Sequence, residues 1–177
     1  MRTPARIAKH PIHPMLVPIP IGLWVFSLVC DLVYRLDGAS DVWATMAHYT
    51  MIGGIVGALL AALPGFVDVF SLPPSVKRIG FAHMGLNLTI VVLYAINAWQ
   101  RRDGVTDGLV WLSVLSIALL LVSGWLGGEM VYARGVAVDP GADTSSRHFG
   151  RVYGGPERRR TASGFAYGGT ERRVALQ

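Results

Sequence analysis

Five residues of this chain have side chains suited to holding a metal or moving a proton near one membrane surface. They are His10, His13, Asp68, His83 and Glu129. Imidazoles together with carboxylates suit iron, zinc or manganese, and histidine is a common metal ligand. Asn87 follows His83 by four residues, so on a helix it shares that face as a supporting group. A second set, Asp31 and His48, is expected to form an Asp–His pair at the opposite surface. The five residues of the first set suit three roles: a structural polar network at helix ends, a metal or haem site, and a proton or solute path.

Several chemistries find no support. The single cysteine, Cys30, excludes an internal disulfide, a Cys-x-x-Cys-His haem attachment and a four-thiolate cluster. No phosphate-binding Gly-rich loop, Gly-x-Ser-x-Gly elbow or His-Glu-x-x-His motif occurs. Nothing therefore points to a hydrolase, a kinase or a nucleotide enzyme.

The elements that must position these residues follow from composition. Of 177 residues, 52% are apolar and only 15% are charged. A soluble domain carries about 25% charge. The apolar residues fall in four runs, at about 15–35, 44–65, 80–99 and 109–128. Each run is about 20 residues, enough to cross a hydrocarbon layer of about 30 Å as a helix. The links between them are short, so neighbours are antiparallel. The expected fold is all-α: an integral membrane, up-down four-helix bundle spanning 15–138. Residues 1–14 form a His-Pro segment before it, read as retained and not as a cleaved signal peptide.

Prolines 11, 14, 18 and 20 crowd the start of the first run. Proline fits a first helical turn and breaks an interior one. The regular helix is therefore expected near Pro18 or Pro20, after an extended or kinked stretch holding His10 and His13. In the second run Gly53, Gly57, Ala61 and Gly65 recur every four residues, beside a parallel row of Gly54, Ala58 and Ala62. The fourth run pairs Ser123 with Gly127 and Gly124 with Gly128. Small-residue ridges let helices approach closely in lipid. They predict packing within the bundle or a homodimer seam.

Charge gives the orientation. The N-terminal segment, the second link and the C-terminal segment carry 13 of the 16 Lys and Arg residues. The first and third links carry Arg35, Arg101 and Arg102. This bias predicts that both termini are cytoplasmic. Counting the short segments alone, the bias is 5 against 3. From 139 to 177 the chain turns basic and Gly-rich, which predicts a disordered tail. It repeats Tyr153-Gly154-Gly155 as Tyr167-Gly168-Gly169, each followed by an Arg pair. Arg158, Arg159, Arg160, Arg172 and Arg173 suit anionic membrane lipid. No folded basic domain is evident, so nucleic acid is not an expected partner.

The opening His10-Pro11-Ile12-His13-Pro14 resembles the start of a bacterial membrane family, domain of unknown function 2231. Gly65-Phe66-Val67-Asp68, His83 with Asn87, and Ser123-Gly124-Trp125-Leu126-Gly127-Gly128-Glu129 are similar to it as well. The resemblance covers roughly residues 8–138. It implies a multi-pass protein of the bacterial plasma membrane with no established activity. Some relatives are joined to Rieske-type or cytochrome-like modules, which implies redox work. The specific expectation is a redox accessory that binds iron, zinc or a b-type haem through the first set, with a redox protein as partner. The alternatives are a non-catalytic membrane scaffold and a proton or small-solute transporter.

Overall fold

A computed structural model describes residues 3–38 and 40–138. The basic tail from 139, with its repeat and its arginine cluster, lies outside the described residues.

The chain opens with a two-residue-per-strand hairpin, β1 (Arg6–Ile7) and β2 (His10–Pro11), paired antiparallel. Ala8 and Lys9 turn it, with φ of 49° and 70°. Two successive positive φ angles mark a mirror-image hairpin turn, which usually recruits Asn or Gly. A short helix, α1 (Ile12–Leu16), follows, and α2 (Pro18–Leu36) continues after Val17. His10 is thus extended and α2 begins at Pro18, as the prolines predict, whereas the stretch holding His13 is a short helix and not extended. Pro14, Pro18 and Pro20 all fit because each lies in the first turn of its helix, where no intrahelical donor is needed.

Three long helices complete the bundle: α3 (Asp41–Phe70), α4 (Pro74–Gln100) and α5 (Asp107–Gly128). A 3₁₀ turn (Arg101–Asp103) extends α4, and a π-helical turn (Glu129–Ala133) extends α5. Four helical stretches are long and apolar enough to cross a membrane: Ile12–Leu36, Asp41–Phe70, Pro74–Gln100 and Asp107–Ala133. Each outruns the apolar run read from sequence, because polar end residues continue the helix into the interface. The helices pack as a closed ring, α3 against α2 and α4, and α5 against α4 and α2.

The polarity is that of a protein dissolved in lipid. Large apolar side chains such as Leu63, Leu121 and Trp125 face outward, while Ser27, Asp31, Asn97, Ser113, Ser116 and Ser123 are buried. Lipid gives no drive to bury leucine, so packing and hydrogen bonds hold the interior. At the centre the Trp24 and Tyr94 rings stack, with centroids 4.5 Å apart and planes 9° from parallel. Met51 and Ile90 close around them.

The small residues of α3 explain its closeness to α2. A Cβ at Gly54 would overlap the Trp24 indole, and one at Gly57 would lie 3.1 Å from Ile19. One at Gly53 would reach Leu23, and one at Gly65 would lie 2.8 Å from His13. The ridge of Gly53, Gly57, Ala61 and Gly65 is thus used inside the bundle, against α1 and α2. The ridge of α5 divides. Gly127 faces His83, whereas a Cβ at Gly124 would meet nothing within 4 Å and one at Gly128 only Tyr132.

Candidate functional site

The polar residues gather at the two ends of the bundle. At the end carrying the N-terminal hairpin, α1 brings His13 against α3. Its Nδ1–H donates to the Ala61 carbonyl at 2.8 Å. Local sequence makes that contact available. Pro64 has no N–H, so the neighbouring Leu60 carbonyl lacks its helical donor. Gly65, one residue on, leaves room for the imidazole. On α4, His83 donates from Nδ1 to the Ser123 carbonyl of α5 at 3.0 Å. Bonding to a carbonyl requires the proton on Nδ1, so in both rings Nε2 carries the lone pair.

The two rings meet edge to face across the bundle end. Their centroids are 6.3 Å apart and their planes stand at 90°. His13 Nε2 takes no hydrogen bond from the described residues. His83 Nε2 lies 3.2 Å from the Asn87 amide nitrogen. That amide has two N–H groups and two shorter acceptors, the His83 carbonyl at 2.8 Å and Ser123 Oγ at 2.6 Å. The contact to Nε2 is the surplus one.

The rest of the expected first set goes elsewhere. His10 is exposed and bonds the Ala8 carbonyl of its own turn. Asp68 accepts the Ala5 N–H at 2.9 Å and so anchors the hairpin to α3. Glu129 pairs with Arg134 at 3.2 Å, both about a third exposed. Among the described residues no group of three or more His, Cys, Asp or Glu is placed to hold a metal ion. The five residues therefore share an end of the bundle, but only His13 and His83 meet.

The opposite end corrects a sequence expectation. Asp31 does not pair with His48. Its carboxylate is held by the guanidinium of Arg101, two nitrogens to two oxygens at 2.5 Å each. Both side chains are sealed from solvent, at 0% and 1% exposure. The third guanidinium donor, Nε, bonds Asn97 Oδ1 at 2.8 Å, and the Asn97 amide bonds Ser113 and the Leu109 carbonyl. This is the two-pronged geometry that makes arginine suited to buried carboxylates. Arg101 follows the last residue of α4, so its side chain turns back one turn to reach Asp31. His48 is left on the wall of a cleft near this pair, its Nδ1 buried and without a partner among the described residues.

Sequence reasoning missed Arg101, Asn97, Ser113 and Ser123 as members of these networks. The spacing held a clue: Asn97 and Arg101 are four apart, as are Ser27 and Asp31, so each pair shares a helix face. Ser27 indeed bonds across to the Ala47 carbonyl at 2.9 Å.

Comparison with curated proteins and with solved structures gives no match. The family model described as "Predicted membrane protein (DUF2231)" matches residues 9–140, which include both polar ends and all four spanning helices. By that match the chain is a membrane protein and belongs to the DUF2231 family.

Proposed function

We propose that His13 and His83 would together hold a b-type haem, and that the protein is a redox accessory of the bacterial plasma membrane. The observation that carries this reading is the spacing of the two rings. Two imidazoles that shared one metal, each with a metal–nitrogen bond of about 2.0–2.1 Å and roughly 1.1 Å from nitrogen to ring centre, would have centroids no more than about 6.3 Å apart. The rings stand at 6.3 Å. Each Nδ1–H is already anchored to a backbone carbonyl, the outer-sphere bond that orients ligating histidines and raises their basicity. Two protein ligands are too few for a tetrahedral zinc site. They are enough for haem, whose macrocycle supplies the other four nitrogens, and this favours haem over bare iron or zinc. A bound haem would supply one-electron transfer. His13 and His83 would hold it, with the Ala61 and Ser123 carbonyls fixing the two rings.

The orientation proposed is both termini in the cytoplasm. The burial of Arg101 supports it. With that charge neutralised inside the bundle, the short segments carry five basic residues on the hairpin side against Arg35 and Arg102 on the other.

The test is haem titration of the purified full-length chain, followed by absorption. The expected result is saturation at one haem per chain with a six-coordinate Soret band. His13→Ala and His83→Ala should each remove it. A chain that takes up no haem overturns the reading. A second reading, a non-catalytic scaffold, is favoured by the Asn87–His83 contact and by the unfilled space beside Gly124. There the imidazoles form an edge-to-face clasp, for which 6.3 Å is also suitable. That reading predicts a colourless protein whose oligomeric state changes in Gly124→Leu.

A further inference from the structure

The His48 end of the bundle contains a second cleft, unrelated to the haem reading. Its volume is about 360 Å³, within the range of small-molecule sites. Tyr34 of α2, Thr45 and His48 of α3, and Arg101 and Arg102 beyond α4 line it, with Ala44 and Val105 as apolar wall.

Charge balance narrows what fits. Asp31 neutralises the Arg101 guanidinium, and Asp31 and Asn97 together take three of its five N–H groups, so it offers an anion little net charge. Arg102 lies over the Trp99 indole, 3.8 Å from its ring centre, and Asp41 on the same rim offsets its charge. The cleft is therefore close to neutral, and an anionic head group gains little there. His48 is the distinctive group. Its Nδ1 has no partner among the described residues, and a buried polar atom left that way is costly. No internal bond fixes its tautomer, so the ring can either give a hydrogen bond or take one. Tyr34 and Thr45 add hydroxyls with the same dual capacity. The cleft lies at helix ends, beside an apolar exterior continuous with the lipid phase.

We propose that this cleft binds the head group of a lipid-soluble quinone. A quinone is neutral, flat and largely apolar. Its two carbonyl oxygens accept hydrogen bonds, and the two hydroxyls of its quinol form donate them. His48, with Tyr34 and Thr45, can meet both states, and the tail would leave along the bundle surface.

The test uses the full-length protein in lipid nanodiscs, titrated with a decyl-substituted benzoquinone. Tryptophan quenching is read against empty nanodiscs to subtract partitioning. Saturable binding is expected, weakened at least tenfold by His48→Leu and by Ala44→Trp, which fills the cleft. His48→Gln, which keeps both a donor and an acceptor, should retain most of the affinity, and Gly124→Leu should retain all of it. Size-exclusion profiles identify any variant that fails to fold, and Ala44→Trp then stands in for His48→Leu. The proposal is overturned by quenching that does not saturate, by equal affinity in the His48→Leu and Ala44→Trp variants, or by tighter competition from dodecyl phosphate than from a second quinone.

Discussion

Removing one partner of the Asp31–Arg101 pair should be far more damaging than removing both. Both groups are sealed from solvent, and the bond is two-pronged at 2.5 Å. Arg101→Leu leaves a buried carboxylate with no counter-charge and deprives Asn97 Oδ1 of its donor. Breaking a buried pair in this way costs about 3–5 kcal/mol, or roughly two to three and a half decades in the folding equilibrium. Asp31→Leu should fall in the same range, because it strands the guanidinium. The double variant Asp31→Leu/Arg101→Met removes both desolvation costs and fills the space with apolar atoms. It should stay within about 1 kcal/mol of the parent chain or exceed it. The assay is denaturation in mixed micelles, with the helical signal followed as the denaturing detergent fraction rises. The double-mutant cycle then gives a coupling energy of at least about 5 kcal/mol. Single variants that each lose under about 1 kcal/mol, with the double simply additive, would refute the reasoning.

Other expectations follow from the packing. Gly65→Leu should push His13 off the Ala61 carbonyl, since even a Cβ there lies 2.8 Å from Nδ1. In a haem-loading assay it should therefore mimic His13→Ala. Gly54→Leu collides with the Trp24 ring and should cost several kcal/mol, at least the roughly 1–3 typical of overpacking, whereas Gly124→Leu should change monomer stability by under about 0.5 kcal/mol. Thermal unfolding of both variants checks this contrast. Trp24→Ala removes the partner stacked on Tyr94 and should cost about 3–5 kcal/mol in the same measurement. Cysteines introduced at Ser71 and Gly104, in a Cys30→Ser background, should react with an impermeant thiol reagent from opposite sides of the membrane. Ser71 should be protected in intact cells.

The four helices were legible because lipid imposes a simple rule: about 20 apolar residues, then a break. The hairpin at 6–11 was not. Its turn residues, Ala8 and Lys9, are poor formers of the conformation they adopt, and the hairpin is held instead by contacts far along the chain. Asp68 takes the Ala5 N–H, and Arg6 donates to the Ala137 carbonyl. The true partner of Asp31 was hidden for a different reason. Depth along the helix axis suggested His48, which lies on the adjacent helix. Arg101 sits beyond the apolar run and reads as a loop charge, but a long side chain can reach back a full turn. Depth grouped His10, His13, Asp68, His83 and Glu129 at one end of the bundle. It could not say which two would turn toward each other, because that depends on rotation about each helix axis. Gly65 and Gly127, each beside one imidazole, set the room for that rotation.

The most direct test of the central reading is the electron paramagnetic resonance spectrum of the ferric, haem-loaded protein. If His13 and His83 both hold the iron, a low-spin signal is expected, replaced by a high-spin signal when either residue is changed to alanine. A high-spin signal in the unmodified chain, or a low-spin one that survives both substitutions, would contradict it.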